Sequence, residues 1–237
     1  AFAKILLPDA VRGLAASARR RKGGRKEFAI FMVPETDRGG TGGSRWNPLC
    51  LVLLAALLCF HAWANFWWLT HDNHPLHSDD SLHMDAACKY FEILTDADQP
   101  LIARLIGMFR VQNYYPPLLH LVGASALALW GYHPDLLAGT VTLYFLLLIV
   151  GCYAVARCFL GRWQALFAAA VVSFTPILYG ASRTYMTDYL SATFVVWAMY
   201  CLLRSDLFRN TGWTFFFALL TGFGIMARQT TCVFYLV

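Results

Sequence analysis

Charged residues are scarce in this sequence. Asp, Glu, Lys and Arg make up 14% of its 237 residues, whereas soluble domains carry about 25%. So few charges cannot cover the surface of a soluble protein, but a surface that faces lipid needs none. Hydrophobic residues reach 58% and aromatic residues 16%. The composition therefore excludes an ordinary soluble domain and predicts an integral membrane protein with several transmembrane helices.

Two other patterns are missing. The sequence has no CxxC pair, and its seven cysteines lie mostly in apolar runs, where cysteine behaves as a small hydrophobic residue. Only Cys88 lies in a long polar segment, so the sequence does not support a disulfide framework. An internal repeat, which is the signature of many secondary transporters, is also missing.

Residues 1–45 form a basic, Gly-rich lead. Because such a composition cannot bury enough surface to fold alone, we expect a disordered tail, and the positive-inside rule places it in the cytoplasm. Contact with anionic lipid headgroups is the alternative to a solvated tail. The chain begins at Ala1 and ends inside an apolar run, so we expect the N-terminal part of a longer protein.

Residues 46–237 predict an all-α, polytopic membrane helix bundle. Trp46–Thr70 is long enough to cross a hydrocarbon core of about 30 Å, with Trp63 and Trp67 near its far end. A long external loop, residues 71–115, follows it. Within this loop Ser81–Leu94 has the spacing of an amphipathic helix that lies at the membrane interface. Further spans are predicted at residues 136–156, 163–179, 189–203 and 213–237.

The apolar run Pro116–Trp130 is short, and the basic residues decide its interpretation. If it crosses the membrane, the two basic turns at 157–162 and 204–209 face outward. If it lies in the outer leaflet, both turns fall in the cytoplasm with the basic N-terminus, as the positive-inside rule favours. We therefore predict that it does not cross.

The densest polar cluster follows the first span, at residues 71–83. The adjacent carboxylates of Asp79 and Asp80 could act as a general base or hold a divalent metal. The alternative is structural, in that one of them caps the following helix. His71, His74 and His77 do not have the spacing of zinc ligands on one helical face.

Two further sets of charges lie next to apolar segments. Arg183 and Asp188 flank a short external turn, where they either form a functional site or pair with each other. Arg228 is interpreted as lying well inside the last apolar helix. There it either binds an anion in a cavity or pairs with a carboxylate, for which Asp188 is the candidate.

A loop-to-helix junction with tandem prolines, Tyr115-Pro116-Pro117-Leu118, precedes His120. Taken in order, the acidic motif at 77–81, this junction, the short 156–162 turn, the 176–188 turn and the 222–228 segment resemble the GT-C class of membrane glycosyltransferases. The likeness is greatest to the branch of protein O-mannosyltransferases and aminoarabinose transferases. It covers roughly residues 46–237 and implies a GT-C bundle with interfacial helices in the first external loop.

The resemblance implies that a sugar moves, with inversion, from a polyprenyl-phosphate donor to an acceptor hydroxyl on the outer face of the membrane. Asp80, or Asp79, would be the base. The sites implied for the donor and its phosphate comprise Arg183, Arg228, Tyr115 and His120, and Asp188 would shape the site or bind a divalent metal such as Mg or Mn. Some relatives carry Lys or Glu immediately before the double proline, where this chain has Tyr115.

The expected partners are membrane lipids, a polyprenyl-phosphate-linked sugar and an acceptor protein or glycolipid, and nucleic acid is not expected. The expected location is the plasma membrane, or the inner membrane in a prokaryote. Two alternatives keep the same charges without chemistry: a transporter or flippase of lipid-linked sugars, and a structural membrane subunit. Charges stacked at the midplane would favour transport, whereas a carboxylate outside the hydrocarbon favours an enzyme.

Overall fold

The computed structural model describes residues 47–72, 78–111 and 114–235. Within those ranges the chain contains helices and no strands, as the sequence predicts. They are α1 (Pro48–His71), α2 (Ser78–Thr95), α3 (Leu101–Val111), α4 (Leu118–Trp130), α5 (Pro134–Arg157), α6 (Arg162–Ser173), α7 (Pro176–Ala181), α8 (Thr187–Arg204), α9 (Thr211–Ala227) and a 3-10 helix (Gln229–Tyr235). The predicted tail, His74 and His77 lie outside the described residues.

Two helices are long and apolar enough to cross a membrane, Pro48–His71 and Asp135–Arg157. They correspond to the first two predicted spans. The predicted span at 163–179 is wrong as one helix, because α6 ends at Ser173 and α7 begins at Pro176. Proline has no N–H to donate, and it forces the residue before it out of the helical region. Thr175 is accordingly non-helical, with ψ 121°.

Helix α1 runs antiparallel to α5 and α8, which run parallel to each other, and polar contacts show which of their ends meet. At one end the Sγ of Cys50 donates to the Arg162 carbonyl at 3.7 Å. At the other end the amide of Asn65 donates to Thr142 Oγ1 at 3.2 Å and to Ser182 Oγ at 2.9 Å. We call the first the basic end, because it also carries the 157–162 turn, and the second the polar end.

Helix α4 stays at the polar end. The hydroxyl of Tyr185 donates to the Leu119 carbonyl at 2.8 Å near its beginning. Tyr132, just beyond its last residue, accepts from the Sγ of Cys88 on α2 at 3.4 Å. Its 13 residues span about 20 Å, which is less than the hydrocarbon thickness. Helix α4 therefore packs along α2 and does not extend to the basic end.

The loop helices differ from the sequence interpretation. Helix α2 includes the predicted amphipathic segment, but it buries Ala86, Ala87 and Tyr90 within the protein, and it packs on α4. Of the two loop helices, α3 is the one with an exposed apolar face, where Leu101 and Ile102 are the most exposed. The sequence analysis did not single out α3, because its repeat of apolar residues is only 11 residues long.

The core lies among α1, α4, α5 and α8, around Leu119, Phe145 and Leu190. At the polar end of α1, the side chains of Trp63, Phe66 and Trp67 point away from this core, with Trp63 63% exposed. Aromatic side chains of this kind collect at the membrane–water interface. The membrane boundary that the sequence predicts at Trp63 and Trp67 stays a prediction.

Gly123 allows the close contact between α4 and the segment before α8. A Cβ at this position would clash with the Tyr185 hydroxyl and lie 2.9 Å from Leu137 Cδ2. We expect Gly123→Ala to displace that hydroxyl from the Leu119 carbonyl and to lower stability by about 1–3 kcal/mol. Thermal unfolding in detergent measures the effect.

Gly139→Ala is the matched control, because a Cβ there meets no heavy atom within 4 Å. Alanine also favours a helix over glycine by about 1 kcal/mol. The control should therefore be neutral or stabilising. Equal melting temperatures for Gly123→Ala and the wild type would contradict the close contact.

Candidate active site

Two carboxylates begin helix α2 at the polar end. The helix starts at Ser78, so Asp79 and Asp80 lie inside its first turn and not at the capping position that the sequence suggested. Carboxylates are stabilised there by the free N–H groups and the positive end of the helix dipole. Asp79 is exposed, whereas the Asp80 side chain is only 5% exposed. The helix therefore holds one buried and one solvated carboxylate side by side.

A buried pair of histidines lies one turn further along. His83 Nδ1 is 3.1 Å from His120 Nε2, so α2 and α4 are joined by a hydrogen bond between the two rings. The edge of Tyr115 packs against His83 with ring centroids 4.6 Å apart. Burial lowers the pKa of both rings, that of His120 to about 4. Both rings are consequently neutral at pH 7.

Asp188 and Arg228 form an ion pair across two helices. Asp188 is the second residue of α8, and Arg228 directly follows α9. The interpretation of Arg228 as a mid-helix residue is therefore wrong. Its backbone is extended (φ −156°, ψ 127°) because the chain turns there into the 3-10 helix, whose Thr231 contacts Ser191 at 2.6 Å. The pairing with Asp188 is the alternative that the sequence left open.

These groups act on one another electrostatically. Asp79 and Asp188 favour the protonated form of His83, and Arg228 opposes it, although desolvation remains the larger influence on its pKa. The acidic motif, the turn before α8 and the residue after α9 are therefore gathered at the polar end. Three segments that lie far apart in the sequence are therefore close together in the structure.

Arg183 lies beside this site and is not paired with Asp188. Its Nε donates to Asn65 Oδ1 at 3.1 Å, and its guanidinium lies 4.5 Å from the Trp68 ring and 4.4 Å from the Tyr179 ring. Cation–π contacts on two faces hold the guanidinium plane in place. The described contacts use one of its five N–H donors, which leaves others for an anion.

Some of these residues were missed by sequence reasoning. His83 was noted only as part of the polar cluster, although it lies three and four residues after the two aspartates and thus on the same side of a helix. Asn65 was assigned no role and Trp68 was interpreted only as a residue of the membrane interface, and no local pattern indicates their contacts with a residue 115 or more positions away. Only packing brings them to Arg183.

The described residues contain no group of three His, Cys, Asp or Glu side chains that could hold a metal ion. The Asp188 carboxylate accepts a hydrogen bond from Arg228 instead. This arrangement does not fit a resident metal at Asp188, and we derive no step through one.

The family model described as dolichyl-phosphate-mannose-protein mannosyltransferase matches residues 115–237. No curated protein and no solved structure matches the chain. The matched segment contains Tyr115, His120, Arg183, Asp188 and Arg228 but not α2. Any role for Asp79 and Asp80 therefore depends on the geometry described above.

A double-mutant cycle tests the ion pair. Both side chains are about half exposed, 43% for Arg228 and 53% for Asp188, so solvent screens the pair. We expect Arg228→Met and Asp188→Asn each to lower the melting temperature, and the double variant to lose less than their sum. The coupling should be about 0.5–1 kcal/mol. Strictly additive losses would show that the two charges do not interact.

Proposed function

Because the chain belongs to the dolichyl-phosphate-mannose-protein mannosyltransferase family, we propose that it transfers a sugar from a polyprenyl phosphate to an acceptor hydroxyl at the polar end of its bundle. Asp80 is the general base of this proposal. The observation that carries it is the buried carboxylate of Asp80, held in the first turn of α2 next to the histidine on which the Asp188 and Arg228 charges act.

The proposed reaction needs a base for the acceptor hydroxyl and cations for the departing phosphate. Asp80 takes the proton of the acceptor hydroxyl, and the oxygen attacks the anomeric carbon from the face opposite the phosphate. The bond between the anomeric carbon and the phosphate oxygen then breaks, and the polyprenyl phosphate leaves with its negative charge. Attack from the opposite face inverts the anomeric configuration.

The developing charge on the phosphate needs preorganised donors. Arg183 and Arg228 fit this role, because arginine keeps its charge in any protein environment and matches phosphate geometry with its planar fork. Asn65 and two aromatic rings hold Arg183, and Asp188 holds Arg228. Tyr115 and His120 belong to the same end, but His120 is fully buried against His83. Its direct contact with the donor stays a prediction.

The distribution of charge favours an enzyme over a transporter. Along α1 and α5 to α9, every described Asp, Glu, Lys and Arg lies in a first or last turn. Transport sites for charged ligands place such residues near the bilayer midplane. A reaction at the surface of the membrane needs them at a helix end, where Asp188 and Arg228 lie.

The base assignment predicts the effect of removing one carboxylate. Asp80→Asn should lower sugar transfer by about 10²–10⁴-fold, because losing a general base costs that much, while the melting temperature is kept. Transfer of mannose from dolichyl phosphate mannose to a hydroxyl-bearing peptide by the full-length protein is the assay. Asp79→Asn in the same assay decides which carboxylate is the base.

Asp85→Asn is the matched control, since Asp85 is an exposed residue of the same helix that pairs with Lys89 at 2.6 Å. It should leave transfer within about twofold, because surface ion pairs contribute little. Near-normal turnover in both Asp79→Asn and Asp80→Asn would reject the catalytic role of α2.

The orientation in the membrane is part of the proposal. The polar end faces outward and the basic end faces the cytoplasm, which is supported by the arginines of the 157–162 turn at the latter. In a cysteine-free background, Ala97→Cys should react with an impermeant maleimide on intact cells, and Leu160→Cys should react only after permeabilisation. Both side chains have accessible surface. Labelling of Leu160→Cys from outside would show that the true orientation is the opposite of the proposed one.

A further inference from the structure

Asn65 lies fully buried near the polar end of α1, where its carboxamide contacts two other segments of the chain. Its Nδ2 donates to Thr142 Oγ1 of α5 at 3.2 Å and to Ser182 Oγ at 2.9 Å. Its Oδ1 accepts from Arg183 Nε at 3.1 Å. Both ends of the amide are therefore occupied, which is the arrangement that a buried polar group needs.

These partners fix which end of the amide faces Arg183. The nitrogen and the oxygen of an amide are distinguished by their hydrogen-bond partners, and Arg183 Nε can only donate. A reversed amide would place two donors face to face. Ser182 has one hydroxyl proton, which the Tyr179 carbonyl accepts at 2.8 Å, closer than Asn65 Oδ1 at 3.3 Å. Asn65 Oδ1 is consequently left to Arg183.

The two arginines of the site are held in different ways. Arg228 pairs with the Asp188 carboxylate, so a negative charge beside it offsets its positive charge. Arg183 forms no ion pair with any residue that the structure describes. Its contacts are with the neutral amide of Asn65 and with two aromatic rings. Arg183 therefore keeps an uncompensated charge, and its two terminal Nη groups form a fork that matches a phosphate.

We propose that Asn65 is a positioning residue, whose neutral carboxamide fixes the Arg183 guanidinium and leaves its positive charge for the phosphate of the donor. A carboxylate at position 65 would fix the guanidinium equally well, but it would also offset the charge. Of the two arginines, Arg183 is then the one with more charge to offer the phosphate. Asn65 has this role only if Arg183 binds the donor, so the inference rests on the proposed function.

Asn65→Asp separates the position of the guanidinium from its charge. The carboxylate accepts from Arg183 Nε as the amide does, and the hydroxyls of Thr142 and Ser182 can rotate to donate to it. The melting temperature should therefore be kept. We expect the full-length variant to bind dolichyl phosphate about 10- to 100-fold more weakly, because hydrogen bonds to charged groups contribute that much to affinity. Titration calorimetry in detergent measures the binding, which a purely structural role of Asn65 would leave unchanged.

Asn210→Asp is the matched control, because it adds the same negative charge far from the site. Asn210 caps α9 beyond the last residue of α8, whereas Asp188 lies where α8 begins, and its Oδ1 accepts from the Trp213 N–H at 3.3 Å. Aspartate caps a helix as well as asparagine does. The control should therefore keep both the melting temperature and the affinity for dolichyl phosphate. An equal loss of affinity in the two variants would overturn the proposal, because net charge alone would then explain it.

A double-mutant cycle with Asn65→Ala and Arg183→Gln gives the answer if Asn65→Asp fails to fold. Because Asn65 acts through Arg183, dolichyl phosphate should bind the double variant no more weakly than it binds Arg183→Gln. Losses of affinity that multiply, or unchanged binding by a folded Asn65→Asp, would overturn the proposal. Unchanged binding by Arg183→Gln would instead reject the phosphate role of Arg183 itself, so the two failures are distinguishable.

Discussion

Charged side chains are costly in hydrocarbon, by about 2.5–3.5 kcal/mol at the centre of a helix on insertion scales. Helices α1 and α5 to α9 satisfy this constraint, because every charge that they carry lies in a first or last turn. The chemistry of the bundle can therefore be concentrated only where helices stop. At the polar end several of them stop together, and the charges that the hydrocarbon excludes are gathered into one site.

Breaks in the helices bring these charges together. Pro176 ends the path of α6 and starts α7, and the chain then returns through Ser182 and Arg183 to begin α8 at Thr187. Helix α9 ends at Ala227, because the backbone of the next residue, Arg228, is extended. The same break allows Arg228 to reach Asp188, and both groups remain partly solvated.

Much of this arrangement could be predicted from the sequence. Composition and long apolar runs predict an all-α protein and the helices α1 and α5. The polar segments that interrupt the apolar runs predict which residues form the candidate site: Asp79, Asp80, Arg183, Asp188 and Arg228. The end of α9 could not be predicted, because Thr230–Val237 is as apolar as a helix interior and carries no proline or glycine. The partners of Arg183 and of His83 are also set by packing between distant segments, which no local pattern encodes.

In the proposed orientation, the aromatic side chains Trp63, Phe66 and Trp67 near the polar end of α1 lie at the outer interface, and the first turn of α2 follows them closely along the chain. The proposal therefore puts the carboxylates of α2 level with the headgroups. A lipid-linked donor then arrives by lateral diffusion within one leaflet, while a hydrophilic acceptor arrives from the water above. The encounter joins a two-dimensional search with a three-dimensional one. The frequency of encounters with the donor thus depends on the surface density of the donor in that leaflet.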